Sequence, residues 1–229
     1  MIGGLSVLQI STWIIPILVA ITLHEAAHAY VAWKLGDDTA HQQGRVTFNP
    51  FRHIDPFGTI FLPALLIFVR APFLIGYAKP VPVNFYRLRR PRRDMVLVAA
   101  AGPAMNILLA LAAGLLLQLE SFLPAGAGAW YAETMERGVI LNVLLAVFNM
   151  IPLPPLDGGR VAVGLLPRAL ARPLARLERF GFFILIGIML FLPSISLQLL
   201  GREISVFDSI ILPVVRFLAT LILTVTGHG

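Results

Sequence analysis

The chain has 229 residues, of which 58% are hydrophobic and 13% are charged, and it contains no cysteine. Its mean hydropathy of +0.83 lies outside the range of soluble domains and indicates an integral membrane protein. The lack of cysteine excludes disulfides, thiolate ligands and a cysteine nucleophile, so any metal site must use histidine and carboxylate. The net charge of +6 does not indicate a nucleic-acid partner, because the arginines lie at the ends of apolar stretches, where basic residues orient membrane proteins.

Apolar stretches long enough to cross a bilayer, about 20 residues each, recur along the chain. They predict an all-α polytopic membrane protein with about five to six transmembrane segments, in one membrane domain over residues 1–229. We expect no cleaved signal peptide, because no basic residue precedes the first stretch and that stretch is too long for a signal-peptide core. A less regular stretch, Phe57–Ile75, contains Arg70 and Pro72 and need not be one straight helix. The five regular stretches are Ile10–Leu35, Met95–Leu119, Val139–Ile151 with its extension, Phe180–Leu200 and Val206–Val225.

The first apolar stretch contains the pentapeptide His24-Glu25-Ala26-Ala27-His28. Residues four apart lie on one face of an α-helix, so the two imidazoles can bind one tetrahedral Zn²⁺, with Glu25 beside the metal where a bound water would sit. Burying one ionisable residue in hydrocarbon costs at least roughly 2.5 to 3.5 kcal/mol, and three such groups within one turn indicate a functional site. The alternative is a polar spot between helices. His41 and His53 lie in polar loops, where histidines are usually solvated, and we do not assign them as ligands.

The distribution of basic residues predicts the orientation in the membrane. No Lys or Arg precedes Ser11, whereas Lys34, Arg45 and Arg52 follow the first stretch. The positive-inside rule therefore places the N-terminus outside and His28 nearer the cytoplasm. We expect the cell membrane of a bacterium or archaeon, with the active site open to the cytoplasm. The arginines that should also be cytoplasmic are Arg87, Arg89, Arg90, Arg92 and Arg93, and then Arg160, Arg168, Arg172, Arg176 and Arg179.

With Leu35 and Arg87 on one side, the chain between them must cross the membrane an even number of times. A re-entrant hairpin meets this requirement, with a helix over Phe57–Val69, a turn at residues 70–72 and an extended return over Gly76–Asn84. Non-helical backbone at membrane depth needs cover by protein or a water-filled cavity, so the return should line the active site. The alternative is a full sixth span with a different N-terminal orientation.

The return segment contains Pro80 and Pro82, which disfavour both a helix and a central strand. Both prolines lie on one edge of an extended chain, and the N–H groups of Val81 and Val83 lie on the other edge. We therefore expect an edge strand near the active site that can add a bound extended chain as a further strand, with Gly76, Val81 and Val83 as its binding residues. The alternative is a connector that only returns the chain to the arginine-rich boundary.

Two histidines leave a zinc site incomplete, because a catalytic zinc typically has three protein ligands and one open position. The candidate third ligand is Asp157, which follows three prolines and precedes two glycines in the segment from Asn149 to Arg160. The prolines exclude a regular helix, so this segment should be partly unwound beside a polar cavity. The charge pattern places Asp157 at the same membrane depth as His24 and His28. On its own, the segment would also fit a helix end capped by a turn.

These motifs resemble those of the site-2 protease family of intramembrane zinc metalloproteases. HEAAH is similar to the family's metal-binding helix, and residues 149–158 are similar to its second motif, in which Asn and Pro precede Leu-Asp-Gly. Residues 101–106, Ala-Gly-Pro-Ala-Met-Asn, resemble the intervening helix. The resemblance covers a core of residues 10–160, and residues 178–226 would form additional helices. We recognise no PDZ insertion, no CBS domain and no helix before the HEAAH stretch, as expected for a minimal form.

The resemblance implies a zinc metalloendopeptidase that cleaves peptide bonds within or near transmembrane segments of membrane proteins. In it, His24, His28 and Asp157 would bind one Zn²⁺, Glu25 would be the general base, and Asn149 would hold the substrate backbone. Water must reach the site through a polar cavity, for which Asn106 and Asn149 are candidate lining and substrate-binding residues.

The partners implied are a transmembrane substrate and the lipid bilayer, while the oligomeric state stays open. The alternative function is a non-hydrolytic metal-binding membrane protein or transporter, which would need the ligands but not the base at Glu25. A serine or aspartate-pair intramembrane protease does not fit, because the chain has no Gly-x-Ser-x-Gly motif and no second intramembrane aspartate to pair with Asp157.

Overall fold

The computed structural model describes residues 7–61, 65 and 79–228 of the chain. Over these residues the protein is helical and contains no strand. Short 3₁₀ or π-helical turns join the helices at Pro50–Arg52, Pro56–Phe61, Phe85–Arg87, Gln118–Phe122 and Phe207–Ile211. The α-helices with bounds in these ranges are α1 (Val7–Lys34), α2 (Thr39–Gln42), α3 (Pro91–Leu117), α4 (Ala125–Asn149), α5 (Asp157–Leu165), α6 (Arg168–Arg176), α7 (Glu178–Leu200) and α8 (Leu212–Val225).

Within the described part of the chain, four helical segments are long and apolar enough to cross a membrane, judged by length and composition. They are Leu8–Lys34, Pro91–Phe122, Glu178–Leu200 and Phe207–Val225, and each corresponds to a stretch predicted from the sequence. The predicted stretch Val139–Ile151 matches the C-terminal half of α4, which is not among the four. The N-terminal half of α4 carries three charged residues, Glu133, Glu136 and Arg137, which lower its hydropathy.

Helices α1, α3 and α4 pack against one another and form the centre of the bundle. Small residues permit this close packing, since a Cβ added to Gly138 of α4 would lie only 3.3 Å from the Cβ of Ala113 on α3. Small residues are typical of such interfaces between membrane helices. Helix α8 packs against α4, and its Val215 belongs to the same buried apolar cluster as Val139 and Val143.

The arginine-rich segments meet at the end of the bundle where α1 ends. The Arg89 N–H donates to the Leu35 carbonyl oxygen at 3.1 Å, and the Arg92 guanidinium donates to the Gly164 carbonyl oxygen at 3.1 Å. Leu35 and Arg89 therefore lie at the same end of the bundle. The predicted helix Phe57–Val69 and the turn after it lie mostly outside the described residues, which here comprise a π-helical turn at Pro56–Phe61 and the helical residue Leu65.

Candidate metal centre

The two histidines of HEAAH lie one turn apart on α1 and are both buried, each with 8% of its surface exposed. Their Nε2 atoms are 3.0 Å apart. The rings are nearly perpendicular, with an interplanar angle of 83°. The i, i+4 spacing therefore brings two imidazole nitrogens to one point, as predicted from the sequence.

Asp157 meets the histidines from the first residue of α5. Its Oδ2 atom lies 3.2 Å from His24 Nε2 and 3.3 Å from His28 Nε2. Two glycines allow this approach, because a Cβ at Gly158 would overlap the Met150 carbonyl and a Cβ at Gly159 would overlap the backbone of residues 153 and 154. The Gly-Gly pair therefore lets the first turn of α5 fold back on the proline-rich segment and hold Asp157 in place.

The three atoms fit a tetrahedral zinc site. Zinc–nitrogen and zinc–oxygen distances of about 2.0–2.1 Å place tetrahedral ligand atoms about 3.3–3.4 Å apart, close to the separations just given. Asp157 Oδ2 is buried and has no hydrogen-bond partner. An unpaired carboxylate oxygen is costly to bury, and a cation held between it and two nitrogens would remove that cost. Among the described residues, His24, His28 and Asp157 are the group that could hold a metal ion.

Both histidines are oriented through their other ring nitrogen. His28 Nδ1 lies 2.7 Å from the Val98 carbonyl oxygen, and His24 Nδ1 lies 2.5 Å from Asn106 Oδ1. Because each of these oxygens accepts a hydrogen bond, each Nδ1 carries a ring hydrogen, and in the neutral imidazole Nε2 then keeps a free lone pair. Partners of this kind fix the tautomer that can bind a metal.

Helix α3 approaches the site at a glycine. A Cβ added to Gly102 would overlap the ring atoms of His24 and His28 that face the centre. The absence of a side chain at residue 102 therefore keeps this space open.

Glu25 follows His24 directly and is half-buried on α1. The backbone N–H of Val81 donates to Glu25 Oε2 at 2.8 Å. The Val81 side chain is also buried, in a cluster with Ala29 and Ala40. The segment predicted to line the active site therefore does contact the predicted general base.

The described part of that segment, residues 79–84, is held at both ends. The Lys79 N–H donates to the His53 carbonyl oxygen at 2.9 Å, and the Asn84 N–H donates to Asp37 Oδ2 at 2.6 Å. Residues 79–84 form no strand in this structure, and the predicted substrate-binding residue Gly76 lies outside the described residues. The anchors nonetheless fix the position of the segment beside α1.

Arg45 adds a buried positive charge beside the same segment. Its guanidinium donates to the carbonyl oxygens of Lys79 at 2.6 Å and Pro80 at 3.4 Å. Burial lowers the pKa of Arg45, whereas attraction to the Glu25 carboxylate acts in the opposite direction. The sequence predicts only that Arg45 helps to orient the protein in the membrane. It does not predict the contact of Arg45 with the Lys79 and Pro80 carbonyl groups.

The remaining predicted residues have different surroundings. Asn106 is fully buried, and its contact with His24 places it next to a predicted ligand and not on an open cavity wall. Asn149 is half-buried at the end of α4, where its side-chain N–H donates to the Leu145 carbonyl oxygen at 3.0 Å. His41 stacks on Trp33 with ring centroids 4.5 Å apart, and His53 Nε2 contacts the Thr47 carbonyl oxygen at 3.1 Å. Neither His41 nor His53 belongs to the three-residue cluster.

Comparisons with known proteins assign the chain to a family. A family profile described as Peptidase family M50 matches residues 125–192. The chain is 41% identical over 175 residues to a Bacillus subtilis (strain 168) protein named "Putative zinc metalloprotease YwhC". The aligned residues cover 75% of this chain and 76% of that protein. This chain belongs to peptidase family M50.

Two further relatives extend the similarity over more of the chain, and both are named "Putative zinc metalloprotease Rip2". The Rip2 of Mycolicibacterium smegmatis is 32% identical over 196 residues, covering 84% of this chain and 70% of that protein. The Rip2 of Mycobacterium tuberculosis (strain H37Rv) is 32% identical over 208 residues, covering 90% of this chain and 75% of that protein. The comparison with solved structures finds no match.

Membership of family M50 confirms the resemblance to site-2 proteases. The protein is a membrane-embedded zinc metalloprotease, and its cofactor is Zn²⁺. The long apolar helices agree with an integral membrane protein.

Proposed function

We propose that His24, His28 and Asp157 hold one Zn²⁺ per chain and that Glu25 is the general base for cleavage of peptide bonds within or near transmembrane segments. The observation that carries this proposal is that two Nε2 atoms of α1, a helix able to cross a membrane, meet the Oδ2 atom of Asp157 from α5, with separations of 3.0 to 3.3 Å. Glu25 follows the first of these ligands in the sequence. This is the arrangement that a metal-assisted hydrolysis requires.

Each residue has a distinct task in the proposed reaction. When bound, Zn²⁺ lowers the pKa of water and polarises the scissile carbonyl group. Glu25 takes a proton from the water as the water oxygen attacks the carbonyl carbon, and it gives that proton to the amine nitrogen as the C–N bond breaks. The Val81 N–H orients the Glu25 carboxylate through Oε2. The substrate helix must unwind locally, because its peptide bonds are otherwise satisfied internally, so helix-breaking residues in the substrate should favour cleavage.

A metal-binding protein or transporter without hydrolytic activity is the competing function. It would require the three ligands but not a carboxylate beside them that is oriented by a backbone N–H. Membership of a peptidase family and the Glu25–Val81 contact both favour hydrolysis.

We also propose that residues 79–83 bind the unwound substrate by adding it as an extended chain. The support is the position of the segment beside Glu25, and its anchors at Lys79 and Asn84. Because the Val81 N–H already donates to Glu25, the Val81 carbonyl and the Val83 N–H are the groups on that edge that we assign to the substrate. Asn149 would contact the substrate from the end of α4.

Proline substitution tests this substrate edge. Val83→Pro removes the proposed donor without touching the Val81 contact to Glu25, so cleavage should fall sharply while zinc content is unchanged. Pro82→Ala changes the opposite edge and is the matched control, which should cleave normally. Unchanged cleavage in Val83→Pro would leave residues 79–84 as a connector.

We propose that the active site opens to the cytoplasm and that the N-terminus is outside. The support is the contact between Arg89 and the end of α1, which brings the arginine-rich segment to the end of the bundle nearer His28. The protease core in this proposal is residues 10–160, with residues 178–226 as additional helices of the same membrane domain.

Zinc content tests the ligand assignment. Purified protein should hold about one zinc per chain by the three-ligand rule, and a His24→Ala/His28→Ala double variant should hold none. His41→Ala is the matched control, because His41 is exposed and stacks on Trp33 instead of facing the cluster. Equal zinc in the double variant would refute the assignment.

A further inference from the structure

A chain of buried side-chain amides runs from the metal centre into the bundle. His24 Nδ1 contacts Asn106 Oδ1 at 2.5 Å. Asn106 Nδ2 donates to Asn142 Oδ1 at 2.8 Å, and Asn142 Nδ2 donates to the Gly138 carbonyl oxygen at 2.9 Å. The two asparagines have 0% and 3% of their surfaces exposed, so water does not replace these bonds. Three helices, α1, α3 and α4, each contribute one side chain to the chain of bonds.

The far end of this chain fixes the direction of every bond in it. The Gly138 carbonyl can only accept, so the Asn142 NH₂ group must face it and the Asn142 oxygen must face Asn106. The Asn142 oxygen must accept a hydrogen bond from the Asn106 NH₂ group. The Asn106 oxygen is then the atom that faces His24. The Ala20 carbonyl oxygen, at the longer distance of 3.3 Å, faces the same NH₂ group and favours the same orientation.

We propose that Asn142 is a positioning residue for the metal centre, which acts through Asn106 to hold His24 in the tautomer whose Nε2 is free to bind zinc. If the Asn106 amide turned over, its NH₂ group would face His24 Nδ1 and would favour the tautomer with hydrogen on Nε2. That tautomer cannot bind a metal through Nε2. The proposal rests on His24 being a ligand, as proposed above.

The experiment is a double-variant cycle read out as zinc affinity of the metal-free protein, measured by competition with a chelator. Asn142→Leu removes the acceptor for Asn106 at similar volume, and zinc affinity should fall about tenfold, the lower end of the range for residues that support metal ligands. Asn106→Ala removes the side chain through which Asn142 is proposed to act on His24. In the Asn106→Ala background, Asn142→Leu should therefore change zinc affinity by less than about threefold.

A packing role for Asn142 predicts a different result, namely the same loss of zinc affinity in both backgrounds, and that result would overturn the proposal. An unchanged affinity in the single Asn142→Leu variant would overturn it as well. Asn142→Ala is the second variant if Asn142→Leu does not fold, and the same comparison between backgrounds applies. Thr134→Val is the matched control on α4, because Thr134 is buried and bonds the carbonyl four residues before it at 2.7 Å but has no contact with Asn106.

The control at His24 separates this proposal from the ligand assignment. If His24→Ala abolishes zinc binding and Asn142→Leu does not change it, only the role of Asn142 fails. If His24→Ala itself leaves zinc binding unchanged, the ligand assignment fails.

Discussion

Gly102→Ala should prevent zinc binding by filling the space that α3 leaves open in front of the two histidines. The added Cβ would lie 2.5 Å from Cε1 and Nε2 of His24. Ordinary contacts between such atoms begin near 3.5 Å, so the ring would have to move by roughly 1 Å. Metal sites tolerate deviations of only about 0.2 Å in their bond lengths. We therefore expect zinc affinity to fall by much more than the tenfold loss predicted for Asn142→Leu, with a stability cost of about 1–3 kcal/mol for overpacking.

The assay is zinc content by elemental analysis together with thermal unfolding of the purified protein. Gly187→Ala is the matched control, since Gly187 lies inside α7 with no atom within 4 Å of an added Cβ. This control should keep its zinc and should unfold at the same or a higher temperature, because alanine favours a helix over glycine. A Gly102→Ala protein that is folded and holds zinc with wild-type affinity would refute the geometry described for the site.

Two further predictions concern the placement of Asp157 and the orientation of the chain. Gly158→Ala should displace the first turn of α5, because its Cβ would overlap the Met150 carbonyl, and its zinc content should fall. The control Gly126→Ala has open space around the added Cβ and should keep its zinc. Full zinc in Gly158→Ala would contradict this account of α5. A single cysteine at Arg90 in this cysteine-free chain should react with a membrane-impermeant reagent only from the cytoplasmic side, and labelling only from outside would overturn the orientation.

Local sequence pattern was sufficient to predict which side chains of the proposed metal site lie together. The spacing of His24 and His28 specifies a shared helix face without any knowledge of the fold, and the structure brings their Nε2 atoms together. Asp157 required one more step, the matching of membrane depth from the arginines, and the structure places its Oδ2 atom against both histidines. The histidine pair is specified by neighbouring residues alone, whereas Asp157 also needs a statistical rule about charge.

Contacts between distant segments were not predictable in this way. Asn142 is one polar residue in an apolar stretch, and nothing in its neighbours indicates a bond to Asn106, which lies 36 residues earlier in the chain. Gly102 belongs to a motif noted in the sequence, but its role depends on how closely α3 approaches α1. Helix α4 starts at Ala125, well before the apolar stretch at Val139, and its charged first half includes a Glu133–Arg137 ion pair at the helical i, i+4 spacing.

The most direct test of the account compares the wild-type protein with Glu25→Gln, measuring zinc content and the production of membrane-protein fragments in the same cells. Glu25 is not a proposed ligand, so the variant should keep about one zinc per chain. Its proteolysis should fall by at least about 100-fold, because the general base is lost. Fragments that persist at the wild-type level in the Glu25→Gln cells would contradict the proposed mechanism.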